Sequence, residues 1–538
     1  MLSVNLAILN TNIITMDKNN PRAEAVAVKN GRIVKVGKTN EIEELIGENT
    51  IIIDSQGKTI VPGFIDAHCH PLSIVCRQLF QVDCSPKSIS SIDDIIDTLK
   101  KRAEKTPKGK WVLGVNYDDT KLVEKRHPTR WDLDKVSAEH PIHLQHNSCH
   151  MGVVNTKALE VVKLSKGSTD AVNGKLERDE KTGELTGICT EDTDYIFIPG
   201  IGREESLIPL PTEEECERAI QIVFHKYLKA GITSVGEALV SPLEVKVFQR
   251  ALQDGKLHLR VYMMIHENYL PFIKELGLRT GFGNDMLKIG PIKTFLDGAI
   301  SARTAYLYKG YKGKPGDCGI VTKNQEELEK IFFKAHEAGF QIAVHANGDR
   351  AIDMVLNAYE KILGKIPREN HRHRIEHCTV VNPKILKRIK KLGIVVLPFS
   401  TYVWEHGEKM KEYGHRISMM FAHRSFLDYG IPVGGSSDNP CGPFEPLLAI
   451  QAMVTRKSSG GETLGPEQKI SVEEAIRIYT LGSAYASFEE NIKGSIEAGK
   501  LADFVMLSND PTQVSPDTIK DILVEKTILG GNILYERK

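Results

Sequence analysis

From about residue 205 the chain alternates between short apolar runs and amphipathic stretches, and that rhythm limits the folds open to it. The runs cover 232–235, 259–265, 287–296, 340–345, 373–377, 393–399 and 431–435. Among the segments between them, 213–230, 325–338 and 353–363 carry apolar residues at helical spacing. Strands alternating with helices in this way give parallel sheets. An earlier run at 61–67 brings the strand total to eight. The expected architecture is therefore α/β, a (β/α)8 TIM-type barrel. A doubly wound open sheet is the competing arrangement, but no Gly-x-Gly-x-x-Gly follows any of these runs.

Both ends of the chain read as β. Residues 25–28 and 32–36 flank Lys29-Asn30-Gly31, and an Asn-Gly between two strand-like runs marks a hairpin. Residues 494–507 and 524–535 have the same character. Neither end is large enough for its own sheet domain, so both are expected to pair into one small composite β-sandwich. This divides the chain into 1–60 and 491–538 for the sandwich and 61–490 for the barrel. An insertion at about 80–204 interrupts the barrel. Within it, 91–103 has helical spacing with Ser90 or Ser91 as cap, 111–115 and 141–144 resemble strands, and Thr182-Gly183 marks a turn. The insertion leaves the chain just after the first barrel strand, so it is expected over the C-terminal mouth.

In a (β/α)8 barrel the active site lies at the C-terminal ends of the strands. The first run ends in His68 and His70. Residues i and i+2 of a strand share a side, so both imidazoles aim at one point and Cys69 points away. The fourth run carries Lys293, the fifth ends in His345, the sixth in His377 and the eighth in Asp438. Each has an ordinary structural role open to it, such as a buried polar residue or a turn cap. Four histidines and one aspartate converging on one mouth make a metal centre the expectation, since neutral imidazole is the commonest side-chain ligand.

The motifs Val61-Pro62-Gly63-Phe64-Ile65-Asp66-Ala67-His68-Cys69-His70, Lys293-Thr294-Phe295-Leu296-Asp297-Gly298, His345-Ala346-Asn347-Gly348-Asp349, Arg374-Ile375-Glu376-His377-Cys378, Ser436-Ser437-Asp438 and Gly499-Lys500-Leu501-Ala502-Asp503-Phe504 occur in this order. As a set the chain resembles the metal-dependent amidohydrolase superfamily, and within it amidohydrolase family 3. The resemblance implies two divalent metal ions, Zn2+ by donor chemistry. His68, His70 and Asp438 would hold one, His345 and His377 the other, and an N-carboxylated Lys293 would bridge them. It also implies hydrolysis of a non-peptide C–N bond in an amide, cyclic amide or formamide. The nucleophile would be a metal-bridging hydroxide, with Asp438 as general base. Arg303, His150, Asp349 and His406 are candidates for substrate contacts, each with a structural salt bridge or cap as the equal alternative. A segment that usually carries Asp-Gly-His reads Asn147-Ser148-Cys149-His150 here, so its loop departs from the family pattern. A mononuclear zinc deaminase of the same superfamily is the second reading, although such enzymes typically lack the fourth-strand lysine. A non-catalytic barrel scaffold is the third.

Charge and cysteine usage narrow the partners. Lys+Arg and Asp+Glu are equal at 70 each, which gives no support for nucleic acid or an anionic membrane. A small-molecule substrate is expected, and a homodimer is left open. The nine cysteines contain no Cys-x-x-Cys, and residues 1–6 lack a basic start and a long apolar run. A cytoplasmic location follows as the expectation.

Overall fold

Seven parallel strands make up the barrel sheet: β1 (Phe64–Cys69), β2 (Ile232–Val240), β3 (Arg260–His266), β4 (Leu287–Phe295), β5 (Ile342–Ala346), β6 (Arg374–His377) and β7 (Val395–Leu397). They lie side by side in chain order. Nearly every residue in them is buried, as strands covered on both faces require. The computed structural model describes residues 3–171, 174–191, 193–194, 197, 207–208 and 210–538. The insertion boundary expected at residue 204 lies outside the described residues.

The barrel fold is as expected, but its eighth stave is reduced. Residues 431–435 form no continuous strand; Val433 and Ser436 make isolated parallel bridges to Val396 and Phe399. Pro432 has no N–H to donate, and Gly434-Gly435 offer no side chains to pack, so a regular ladder does not propagate. The segment still closes the ring. Toward β7, Val396 N–H donates to Pro432 O (3.0 Å) and Gly434 N–H to Val396 O (3.1 Å). Toward β1, Ala67 N–H donates to Gly435 O (2.9 Å) and Asp438 N–H to His68 O (3.0 Å).

The run 61–67, expected as one strand, is divided. Thr59–Pro62 belongs to a sandwich sheet, and the chain passes through Gly63 into β1. A Cβ on Gly63 would meet Thr233 Oγ1 at 2.2 Å, so only glycine fits this crossing. That sandwich sheet has the order Asn532–Glu536, Val524–Leu529, Phe504–Leu507, Thr59–Pro62, Asn12–Ile14, Arg22–Ala23, which joins both termini. A second sheet, Arg32–Gly37, Ala25–Lys29, Leu6–Leu9, Ile51–Asp54, faces it. The strands alternate accordingly. Leu6, Ile8, Val26 and Val28 pack with Ile60, Phe504, Met506 and Ile528, while Ala7, Leu9, Ala25 and Ala27 pack with Ile42 of the helix Thr39–Glu43. The hairpin turn has Asn30 and Gly31 at φ of 50° and 75°, the left-handed pair that a tight two-residue turn demands.

Sandwich and barrel form one compact unit (Met1–Ser73, Ile220–Phe295, Gln325–Lys538). The other is Ile74–Ala219 with Leu296–Asn324. Its sheet has six strands, in the order Gly174–Arg178, Leu185–Glu191, Met151–Val154, Ile142–His146, Val112–Tyr117, Val82–Asp83. The helix Ile92–Ala103 packs Ile92, Ile95, Ile96 and Leu99 on that sheet, and its Ser91 cap accepts the Asp94 N–H.

Candidate metal centre

The ends of β1, β5 and β6 bring four imidazoles into one arc. Ring centroids are 5.5 Å apart for His68–His70, 5.1 Å for His68–His377 and 4.5 Å for His345–His377. Asp438 faces the first two. Its Oδ1 lies 3.5 Å from His68 Nε2 and 3.3 Å from His70 Nε2. Both Asp438 and His377 hold left-handed backbone, at φ of 51° and 68°, a strain of about 1–3 kcal/mol that functional sites tend to store.

The partners of the other ring nitrogens assign the tautomers. His70 Nδ1 donates to the Ala238 carbonyl (3.2 Å), with Ser73 Oγ at 3.3 Å. His68 Nδ1 donates to the Glu376 carboxylate in a short contact. Glu376 is clamped by Arg374 through Nε to Oε1 (2.7 Å) and Nη2 to Oε2 (2.8 Å), and Arg374 Nη2 also donates to Ala67 O (3.0 Å). Burial pushes the Glu376 carboxyl up, but Arg374 and His68 hold it far below the usual carboxylate range. Its charge thus fixes the proton of His68 on Nδ1. Two bare Nε2 lone pairs and a carboxylate then converge where no hydrogen separates them. Burial lowers the pKa of His68, which keeps that ring neutral, and carries that of the neighbouring His377 down to about 3. A metal cation fits this donor set.

Lys293 on β4 fits it as well. Its side chain is fully buried, and among the described residues its Nζ has no hydrogen-bond partner. The Nζ sits 4.1 Å from the Phe295 ring centroid. Burial lowers its pKa to about 8, even though Glu376 and Asp438 favour the charged form. A buried orphan amine with a lowered pKa is suited to become a carbamate ligand.

The other candidates fall on different elements. His406, on the helix Tyr402–Met410, is buried and donates from Nε2 to Cys441 O (2.9 Å). Asp349 opens the helix Asp349–Lys365, which starts four residues before the expected 353. His150 and Arg303 belong to the second unit; His150 Nδ1 lies 2.9 Å from Glu191 Oε2, and Arg303 is exposed with φ of 56°. Sequence reasoning missed Arg374 and Glu376 as supports of His68. The available signal was Arg-x-Glu on one face of a strand that ends in a ligand-type histidine.

A barrel with this ring of nitrogen and oxygen donors defines a metal-dependent hydrolase. Residues 52–535 match the family model described as "Amidohydrolase family", and the chain belongs to that family. It is similar to the N-substituted formamide deformylase of Arthrobacter pascens, 31% identical across 99% of this chain and 98% of that one. It is also similar to the putative amidohydrolase YtcJ of Bacillus subtilis, 30% identical across 98% of both chains. Among solved structures, an uncharacterized metal-dependent hydrolase from Pyrococcus horikoshii superposes with a TM-score of 0.75 at 26% identity, covering 95% of this chain and 99% of the other.

Proposed function

We propose that the chain hydrolyses a non-peptide C–N bond of a small amide, cyclic amide or formamide, using two divalent metals and a carboxylated Lys293. His68, His70 and Asp438 would hold one metal, His345 and His377 the other, and the Lys293 carbamate would lie between them. The nitrogen and oxygen donors suit Zn2+. Bound there, the metals supply Lewis acidity to the scissile carbonyl and lower the pKa of water.

The protein's own groups do the rest. With a pKa of about 8, roughly a tenth of Lys293 is a neutral amine at pH 7 and can add carbon dioxide, losing a proton as the C–N bond forms. The Asp438 carboxyl lies below its ordinary range although burial raises it, so it is ionised at neutral pH. It can take a proton from water and return it to the leaving nitrogen. The Arg374–Glu376 pair keeps His68 Nε2 presented throughout.

One observation carries the binuclear form: the buried Lys293 Nζ without a hydrogen-bond partner. A mononuclear deaminase has no use for it. The deformylase relative supports formamides as the first amides to try. The absence of disulfides among the described cysteines supports a cytoplasmic setting. Among the described residues no helix is long and apolar enough to cross a membrane.

The test is a substrate screen on Zn2+-reconstituted protein supplied with bicarbonate, across N-alkyl formamides, N-acyl amino acids, cyclic amides and esters. Amide turnover is expected, lost with a chelator and lowered about 10²–10⁴-fold in Asp438→Asn. Release of ammonia from amino-heterocycles with no amide turnover would move the chain to the deaminase reading.

A further inference from the structure

The second unit carries a second cluster of ligand-type side chains. Asp119, His127 and His146 each offer one donor atom, and these atoms lie within 4.8 Å of one another. Asp119 Oδ1 is 3.1 Å from His146 Nε2, and its Oδ2 is 3.7 Å from His127 Nε2. Zn2+ holds its ligands at about 2.0–2.1 Å in a tetrahedron, which sets them about 3.3 Å apart. The two spacings, one to each Asp119 oxygen, lie on either side of that value.

Local structure places these groups. The strands Val112–Tyr117 and Ile142–His146 run parallel, with Tyr117 and His146 in register at their C-terminal ends. Asp119 follows two residues after the first strand, and His146 ends the second. Asp118 ties the two ends together: its Oδ1 accepts the Thr120 N–H (3.0 Å) and its Oδ2 accepts Asn147 Nδ2 (2.9 Å). Crevices at the carboxyl ends of parallel strands are where open α/β sheets bind ligands.

Each imidazole also has an outer partner, as metal-ligating histidines do. His127 Nδ1 faces Tyr117 Oη at 3.1 Å, and His146 Nδ1 faces Ser148 Oγ at 2.9 Å. In the absence of an ion, His146 Nδ1 accepts the Ser148 N–H (3.1 Å) and Nε2–H points to Asp119. Ligation at Nε2 would put the ring proton on Nδ1, where Ser148 Oγ can accept it and the Ser148 N–H gives up its present acceptor. The His146 side chain is fully buried, while Asp119 and His127 keep 20% and 28% exposure.

We propose that Asp119, His127 and His146 form a further site, within the second unit, for a borderline divalent metal, Zn2+ foremost. It has two imidazole nitrogens, one carboxylate oxygen and an open position for water. Two His and one carboxylate with open positions also suit Co2+ and Fe2+. The inference does not depend on the barrel reaction.

Cobalt serves as the probe. Metal-stripped full-length protein is loaded with Co2+, dialysed, and its metal counted by mass spectrometry, with absorption in the visible range recorded. The variant with His68, His70, His345 and His377 all changed to Ala is expected to retain one bound Co2+ per chain that disappears when His127→Gln or Asp119→Asn is added. In the parent protein each of those two changes should remove one Co2+ equivalent. Equal cobalt content in parent, His127→Gln and Asp119→Asn, with unchanged circular dichroism, overturns the site. Should a variant misfold, anomalous diffraction at the cobalt edge from the parent protein decides. A peak bonded to Asp119, His127 and His146 supports the proposal, and anomalous density confined to the barrel ligands overturns it.

Discussion

Lys293 separates the binuclear reading from its rivals most sharply. Lys293→Ala is expected to lose activity and at least one metal, and added acetate should restore part of the activity by supplying a carboxylate bridge. Lys293→Arg should not respond, because guanidinium stays charged and forms no carbamate. Full activity of Lys293→Arg would exclude the bridge. Glu376 makes a second case. Glu376→Gln removes the charge that holds the His68 proton on Nδ1 and leaves the fully buried Arg374 unpaired. Metal affinity at the His68 position should fall about 10–100-fold, and stability by about 3–5 kcal/mol. Metal titration and urea unfolding measure the two effects, and an affinity within twofold of the parent would remove Glu376 from its orienting role. The six ligand-type residues were legible in the sequence because each ends or occupies a recognisable apolar run. Glu376 was not, because its partner lies 308 positions away across the barrel, and no periodicity reports a contact between β6 and β1.

At the scale of elements, strand identity was more legible than strand limits. Runs of buried apolar residues announce parallel strands, so the β/α alternation survives in the structure nearly intact. What failed depended on neighbours: 61–67 reads as one strand, yet Thr59–Pro62 and β1 join different sheets. The crossing itself can be tested. Gly63→Ala places a methyl against Thr233 Oγ1 (2.2 Å) and Cγ2 (2.5 Å), and should cost about 1–3 kcal/mol as overpacking does. Thr233→Ala in the same chain removes both contacts and should recover part of that loss. If the two changes add without compensation in urea unfolding, the close approach at Gly63 is not what limits the substitution. The reduced eighth stave is a related case, since Pro432 and Gly434-Gly435 interrupt a run whose flanks still pair on both sides.

For the whole molecule, buried neutral histidines tie stability to pH. His336 accepts at Nδ1 from His373 Nε2–H (2.8 Å) and donates from Nε2 to Ile366 O (2.8 Å). His373 Nδ1 accepts the Ile342 N–H (3.0 Å), and His371 accepts the His373 N–H (2.9 Å). Each ring has a fixed tautomer, and burial lowers the pKa of all three below 6.5. The unfolded chain therefore binds more protons once the pH drops below 6.5, so this cluster's contribution is intact above that value and lost as acidity increases. His336→Gln keeps an acceptor and a donor but cannot titrate. The fall in stability between pH 6.5 and 5 should become shallower by up to about 1.4 kcal/mol per pH unit. An unchanged urea-midpoint profile would show that the cluster does not set the acid limit. The Gly63 crossing has a consequence in time as well as in space. Thr59–Pro62 pairs on one side with Phe504–Leu507, made more than four hundred residues later. During synthesis His68 and His70 leave the ribosome among the first ligands, on a strand whose anchor is among the last segments to emerge. The nascent chain must keep that edge unpaired until the end, and the metal centre can close only after translation is nearly finished.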